Sequence, residues 1–145
     1  MYQTILLPSD GSALSKAAAT AAIELARKLG ASLVAMSVAE PYPYSPYVEF
    51  GAVMDIQAFA DAMQAAAHAC VQEIGAEAAK AGVPCTTHVA TSLSPSDEIV
   101  RTAQDYNCDL IFMATHGHGG LQRLLLGSQT QRVLAHATVP VLVYR

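Results

Sequence analysis

A chain of 145 residues, 52% hydrophobic and 14% charged, holds enough apolar material for one buried core and needs neither disulfide nor metal to stabilise it. Its net charge of −4 comes without a basic run long enough to follow a phosphate backbone, which excludes nucleic acid as a partner. No apolar run approaches the roughly 18 residues of a membrane span, and the three cysteines, Cys70, Cys85 and Cys108, have spacings that fit neither a disulfide framework nor a zinc site, so reduced core thiols are expected.

The amino-terminal stretch MYQTILLPSDGS lacks the basic and long apolar regions of a signal peptide, so one soluble, cytoplasmic domain spanning 1–145 is expected. Gln3 to Leu7 is a short strand that stops at Pro8, and Ser9-Asp10-Gly11-Ser12 supplies turn residues and a helix cap. From Ala13 to Leu29 apolar residues keep helical spacing, and Gly30 stands where a helix terminates. Ser32 to Val38 is apolar with little alternation, as in a strand covered on both faces. The segment Pro41 to Tyr47, with Tyr42, Tyr44 and Tyr47, is an extended loop that either closes over a ligand or packs on the surface. Asp55 to Ala81 is a long amphipathic helix ended by Gly82-Val83-Pro84. Cys85 to Ala90 is a less apolar strand suited to a sheet edge, and Ser94-Pro95-Ser96-Asp97 opens a third helix, with a capping box, that reaches about Tyr106.

Next comes the most informative stretch. Leu110 to Ala114 is an apolar strand that gives way to Thr115-His116-Gly117-His118-Gly119-Gly120, and Gly127 precedes Ser128, whose spacing to Gln131 is that of a capping box. Glycine-rich backbone followed by a helix amino terminus is suited to an anion, phosphate first. The fourth helix runs from Ser128 to about His136 and Val139 to Tyr144 is the last strand. Five strands alternating with four helices predict a doubly wound α/β sheet with right-handed crossovers and helices on both faces. Its ligand crevice lies beyond the carboxyl ends of the strands, where Pro8-Ser9-Asp10-Gly11 meets the loop after strand four.

The segments ILLPSDGS, LVAMSVAEP, DLIFMATHGHGGLQRLLLGSQTQRVL and VPVLVYR make the chain resemble the universal stress protein family along its whole length. The resemblance implies a Rossmann-like five-stranded parallel sheet of order 3-2-1-4-5. ATP-binding members carry Gly-x-x-Gly, nine residues, then Gly-Ser or Gly-Thr; here Gly117, Gly127 and Ser128 fit, and Ala114 replaces the first glycine. By resemblance, adenine lies near Asp10 and Val38, ribose near Pro8, Asp10 and Met113, and phosphates along Ala114, His116, Gly117, Gly127, Ser128 and Gln129, with Ser9 in the same loop. The resemblance implies ATP, with Mg²⁺ as a possible companion, as a conformational ligand, and a homodimer formed through Val139 to Tyr144. A dimeric stress protein that binds no nucleotide and acts through protein contacts is the alternative, motivated by Ala114, whose methyl would crowd a ligand it faced.

Asp10 is read as a contact to ribose or Mg²⁺ or as a turn residue, and Ser128 as a phosphate donor, a helix cap, or both. His116 and His118 suit a place beside phosphate better than a metal site, since no third ligand has matching spacing. Arg123 reaches a phosphate or is solvated; His68 and His136 belong to helix surfaces, and His88 has no assigned role. The chain lacks a P-loop, a Gly-x-Ser-x-Gly elbow and the His-x-Gly-His motif of nucleotidyl transferases, so hydrolysis is expected to be weak at most.

Overall fold

Strand β1 (Thr4–Pro8) is the centre of the sheet, with Ile5, Leu6 and Leu7 fully buried. The structure, a computed structural model, describes residues 1–41, 56–118 and 126–145. Tyr42, Tyr44, Tyr47, Asp55, Gly119, Gly120 and Arg123 lie outside the described residues. Around β1 run α1 (Ala13–Leu29), β2 (Ser32–Ala39), α2 (Ile56–Lys80), β3 (Cys85–Thr91), α3 (Pro95–Asp105), β4 (Leu110–Ala114), α4 (Ser128–His136) and β5 (Val141–Tyr144). All pairings are parallel and the order is β3-β2-β1-β4-β5, as expected. Element bounds differ from expectation by two residues at most, the largest shift being β5, which starts after Pro140 because proline has no N–H for the ladder.

Strand alternation sends side chains to two cores. Ile5, Leu7, Leu33, Ala35, Leu110, Phe112 and Ala114 join α1 and α2, where Ala18, Ala22, Ala26 and Ala78 let helix and sheet approach closely. Leu6, Val34, Met36, Ile111 and Met113 join Ile99 and Ala103 of α3 and Val133 of α4. Both faces of the three central strands are therefore covered, which is why they read as continuous apolar runs. Strand β3 is less buried and forms an edge.

Local signals set most boundaries. Ser12 caps α1 by accepting from the Ser15 N–H at 3.3 Å, and Gly30 closes the helix with φ +67°. The expected capping box at α3 does not form. Ser94 occupies the cap position, but its ψ of 86° does not aim the hydroxyl back at the helix, and its own N–H donates to Ser92 Oγ. At the start of β1, the Asp109 carboxylate accepts from the Gln3 and Thr4 N–H groups at 2.8 and 3.0 Å, tying it to the segment that leads into β4.

All three cysteines are free thiols, Cys108 buried and Cys70 and Cys85 half-buried. Burial pushes the Cys108 thiol up to about 11, helped by the charge of Asp109, and burial also raises Cys85. At neutral pH both stay protonated and unreactive.

Leu6→Ala, which removes a fully buried side chain between β1 and the α3/α4 layer, is expected to cost about 2–5 kcal/mol of unfolding free energy. A urea titration checks this through a lower midpoint at unchanged slope.

Candidate functional site

Because β1 and β4 are neighbours whose connections leave on opposite faces, the chain opens a crevice above their carboxyl ends. Two adjoining cavities occupy it. The larger, about 540 Å³, is lined by Asp10, Val38, His116, Gly117, Gly127, Ser128 and Gln129, with Met63, Ala66 and Ala67 of α2 forming one wall. The smaller, about 180 Å³, reaches under α3 and is lined by Pro8, Ser9, Met113 and Ala114 together with Met36, Pro95 and Ile99. All eleven residues expected at the ligand site line one or both cavities.

The loops after β1 and β4 are clasped by Asp10. Its Oδ1 accepts from the Ser12 N–H at 3.0 Å and the Ser15 hydroxyl at 2.8 Å, and its Oδ2 accepts from the His118 N–H at 2.8 Å. The His118 ring returns the contact, Nε2 donating to the Asp10 carbonyl at 2.8 Å, which requires its Nε2–H form. Burial pushes the Asp10 carboxyl up, but the hydrogen bonds from Ser12, Ser15 and His118 outweigh it, so the group titrates below its ordinary value of 3.8.

That clasp explains Gly117. A Cβ there would lie 1.9 Å from Asp10 Oδ2, so the position holds glycine for space rather than for backbone angle. Gly127 is similarly pressed: a Cβ would meet the Thr115 carbonyl oxygen at 3.2 Å and His116 Cα at 3.3 Å. Its own N–H donates to the Thr115 carbonyl at 2.7 Å. The glycine-rich pattern thus packs two backbone segments against each other beside the cleft.

Gly127, not Ser128, is the cap of α4, with φ −60° and ψ 152°. Ser128 is the first helical residue, and Gln131 Nε2 donates to the Leu126 carbonyl at 2.7 Å instead of completing the expected box. The reason is steric, since a serine at the cap would bring its Cβ against Thr115 and His116. The first turn of α4 has no side-chain cap, and its residues Ser128, Gln129 and Thr130 line the larger cavity at the positive end of the helix dipole.

Three neighbours brace this end. Thr130, buried in α4, donates its hydroxyl to the carbonyls of Ala114 and Thr115 at 3.0 and 3.1 Å. Gln129 Oε1 accepts from the Ser96 N–H at 3.0 Å and so does for α3 what Ser94 fails to do, leaving Nε2 for a ligand. His116 Nδ1 sits 3.1 Å from the Thr115 hydroxyl.

The Ala114 methyl belongs to the core beneath the cleft, packed with Phe112 and the α1 residues, because strand alternation places it on the α1/α2 face. Ala114 is thus shared between the core and the smaller cavity, which it also lines.

Among the described residues no group of three His, Cys, Asp or Glu side chains is placed to hold a metal ion, and no helix is long and apolar enough to cross a membrane. His68 and His136 are exposed on α2 and α4, and His88 faces Tyr106 across 3.3 Å from its Nδ1 to the phenol oxygen. Sequence reasoning missed the clasp formed by His118, the bracing by Thr130, and Ser37 and Glu40, which line both cavities. Only the position of Glu40, two residues beyond Val38, offered a hint.

The whole chain, residues 1–145, matches the sequence model of the universal stress protein family. It is 33% identical over 145 residues to a universal stress protein of Methanocaldococcus jannaschii, covering 100% of this chain and 83% of that one. The solved structure of the universal stress protein UspA from Lactobacillus plantarum superposes with a TM-score of 0.85 at 27% identity, covering 99% of this chain and 98% of that one. A universal stress protein solved in complex with cAMP superposes with a TM-score of 0.72 at 25% identity, covering 99% and 97% of the two chains.

Gly117→Ala is expected to destabilise the protein by about 1–3 kcal/mol, and much less in an Asp10→Ala background that removes the crowded carboxylate. Additive losses in a double-mutant cycle would refute the clasp. Because the folded Asp10 titrates below 3.8, its stabilisation is complete above that value and is lost as pH falls through the folded one. Wild type should therefore be more stable than Asp10→Asn at neutral pH, with the gap closing in thermal melts below pH 3.8.

Proposed function

The chain belongs to the universal stress protein family, and we propose that its cleft binds an adenine nucleotide whose occupancy, rather than turnover, is the signal. What supports this is the convergence of the eleven residues, from the ends of three strands, two distant loops and one helix start, on a single crevice at the sheet's switch point. A similar fold solved with cAMP adds weight to an adenine ligand. The nucleotide we assign is ATP, accompanied by Mg²⁺.

In this reading phosphates meet the N–H groups of Ser128 and Gln129 at the start of α4 and lie along Gly127, whose own N–H is held by the Thr115 carbonyl, with Ala114, His116 and Gly117 alongside. The sugar lies by Pro8, Asp10 and Met113, and the base by Val38. Asp10 has two partners on Oδ1 and one on Oδ2, which leaves an acceptor position for a ribose hydroxyl without breaking the clasp. A ligand spanning Asp10 and α4 would stiffen the loops of β1 and β4 against each other, which makes it a conformational ligand.

The same chemistry argues against efficient hydrolysis. A carboxylate held below 3.8 and already accepting three hydrogen bonds is a poor general base. Among the described residues that line the larger cavity, His116 and His118 are the basic side chains, and His118 is engaged by Asp10.

We further propose a homodimer through Val139 to Tyr144. Strand β5 is a sheet edge, and Leu142 on it and Leu134 on α4 are 37% and 43% exposed. These exposed leucines are also what favours the second reading, a dimer that acts through protein contacts without nucleotide.

Titration calorimetry of nucleotide-stripped protein with ATP and Mg²⁺ is expected to give saturable heat below millimolar ligand; its absence would leave the second reading. Leu142→Lys is expected to shift the protein to monomer in sedimentation velocity while leaving the melt within about 1 kcal/mol of wild type.

A further inference from the structure

Helix α3 begins without the anchors a helix usually has. Pro95 at its start has no N–H, and the Ser94 side chain makes no cap bond. The first intrahelical bond, from the Glu98 N–H to the Ser94 carbonyl, is long at 3.3 Å. Ser96 is 2% exposed, and its hydroxyl has no hydrogen-bond partner among the described residues. Its N–H instead meets Gln129 Oε1 at 3.0 Å, a side chain from the first turn of α4. Only the oxygen can accept there, which fixes the orientation of the amide and leaves Nε2 to donate elsewhere. Gln129 also lines both cavities of the cleft. One side chain thus borders the ligand crevice and holds the start of a helix 33 residues away in the sequence.

We propose that Gln129 couples occupancy of the cleft to the order of the first turn of α3. The coupling rests on the nucleotide reading above and supplies the output that reading leaves open. A nucleotide brings acceptor oxygens on its phosphates and sugar. When Nε2 donates to one of them, the side chain gives up rotamer freedom and its amide is polarised, so that Oε1 accepts more strongly. Both effects tighten the bond from the Ser96 N–H and with it the turn from Ser94 to Glu98. The loop before that turn, where Ser92 Oγ accepts from the Ser94 N–H at 3.0 Å, carries Leu93, which is 76% exposed, so the change is delivered at the surface. Linkage requires the reverse as well: whatever steadies the start of α3 raises affinity in the cleft by the same factor.

Residue-resolved amide hydrogen exchange by NMR, run on the full chain with and without ATP and Mg²⁺, reads the coupling directly. Saturating ATP should slow exchange at Ser96 by about twofold to tenfold, the range of one hydrogen bond's net effect. Gln129→Ala removes the side chain but keeps the backbone N–H that the phosphates meet. It should speed exchange at Ser96 in the absence of ligand and abolish the ATP effect there, while calorimetry shows ATP still bound, about tenfold more weakly or less. Three results would overturn the coupling while leaving the nucleotide site in place. These are unchanged Ser96 exchange in wild type at saturating ATP, slowing that persists in Gln129→Ala, and complete loss of ATP binding in that variant, which makes Gln129 an anchor rather than a link. Absence of ATP binding by wild type overturns both together.

Discussion

Everything in the cleft depends on the carboxylate of Asp10 being held between two loops 108 residues apart in sequence. A charged acceptor carrying three hydrogen bonds is a strong local organiser, because bonds to an ionised group are shorter and stronger than neutral ones. Ser12 and Ser15 fix it to the start of α1, and His118 grips it from the far side. The carboxylate then fills the space where residue 117 would need a side chain, so any Cβ there must displace it. One interaction ties the two loops together, crowds residue 117 and depresses the titration of the acid.

The second constraint is the close approach of Gly127 to Thr115 and His116. It moves the cap of α4 onto a residue with no side chain and so leaves the helix's first-turn N–H groups without a side-chain partner. Thr130 and Gln129 complete the arrangement by satisfying the carbonyls at the end of β4 and a donor at the start of α3. The carbonyls of Ala114 and Thr115 and the Ser96 N–H are paired by these two side chains, while Ser128 and Gln129 at the start of α4 line the larger cavity. That division between structural and available hydrogen-bonding capacity is what makes the crevice a site rather than a groove.

Ala114 shows how a sequence departure is resolved by geometry. Taken from the motif alone, a methyl in place of hydrogen threatens the ligand. Strand alternation sends it into the core with Phe112, where one more methyl adds apolar burial.

The elements were legible in the sequence because they follow from short-range rules, the periodicity of apolar residues and helix stop signals at Gly30 and Gly82, whereas their order in the sheet was legible through the family resemblance. The eleven residues expected at a ligand site were named through the resemblance, and the fold gathers them around one crevice at the switch point. What the sequence could not give is which polar group meets which. Ser94 and Ser128 look like caps by spacing, yet Gln129 serves α3 from another helix and Gly127 takes the cap of α4. The partnership of Asp10 with His118 was likewise decided only in three dimensions. Local pattern is set by neighbours in the chain, whereas the pairing of buried polar groups is set by which segments the sheet brings within 3 Å or so of one another, and that is a property of the assembled fold.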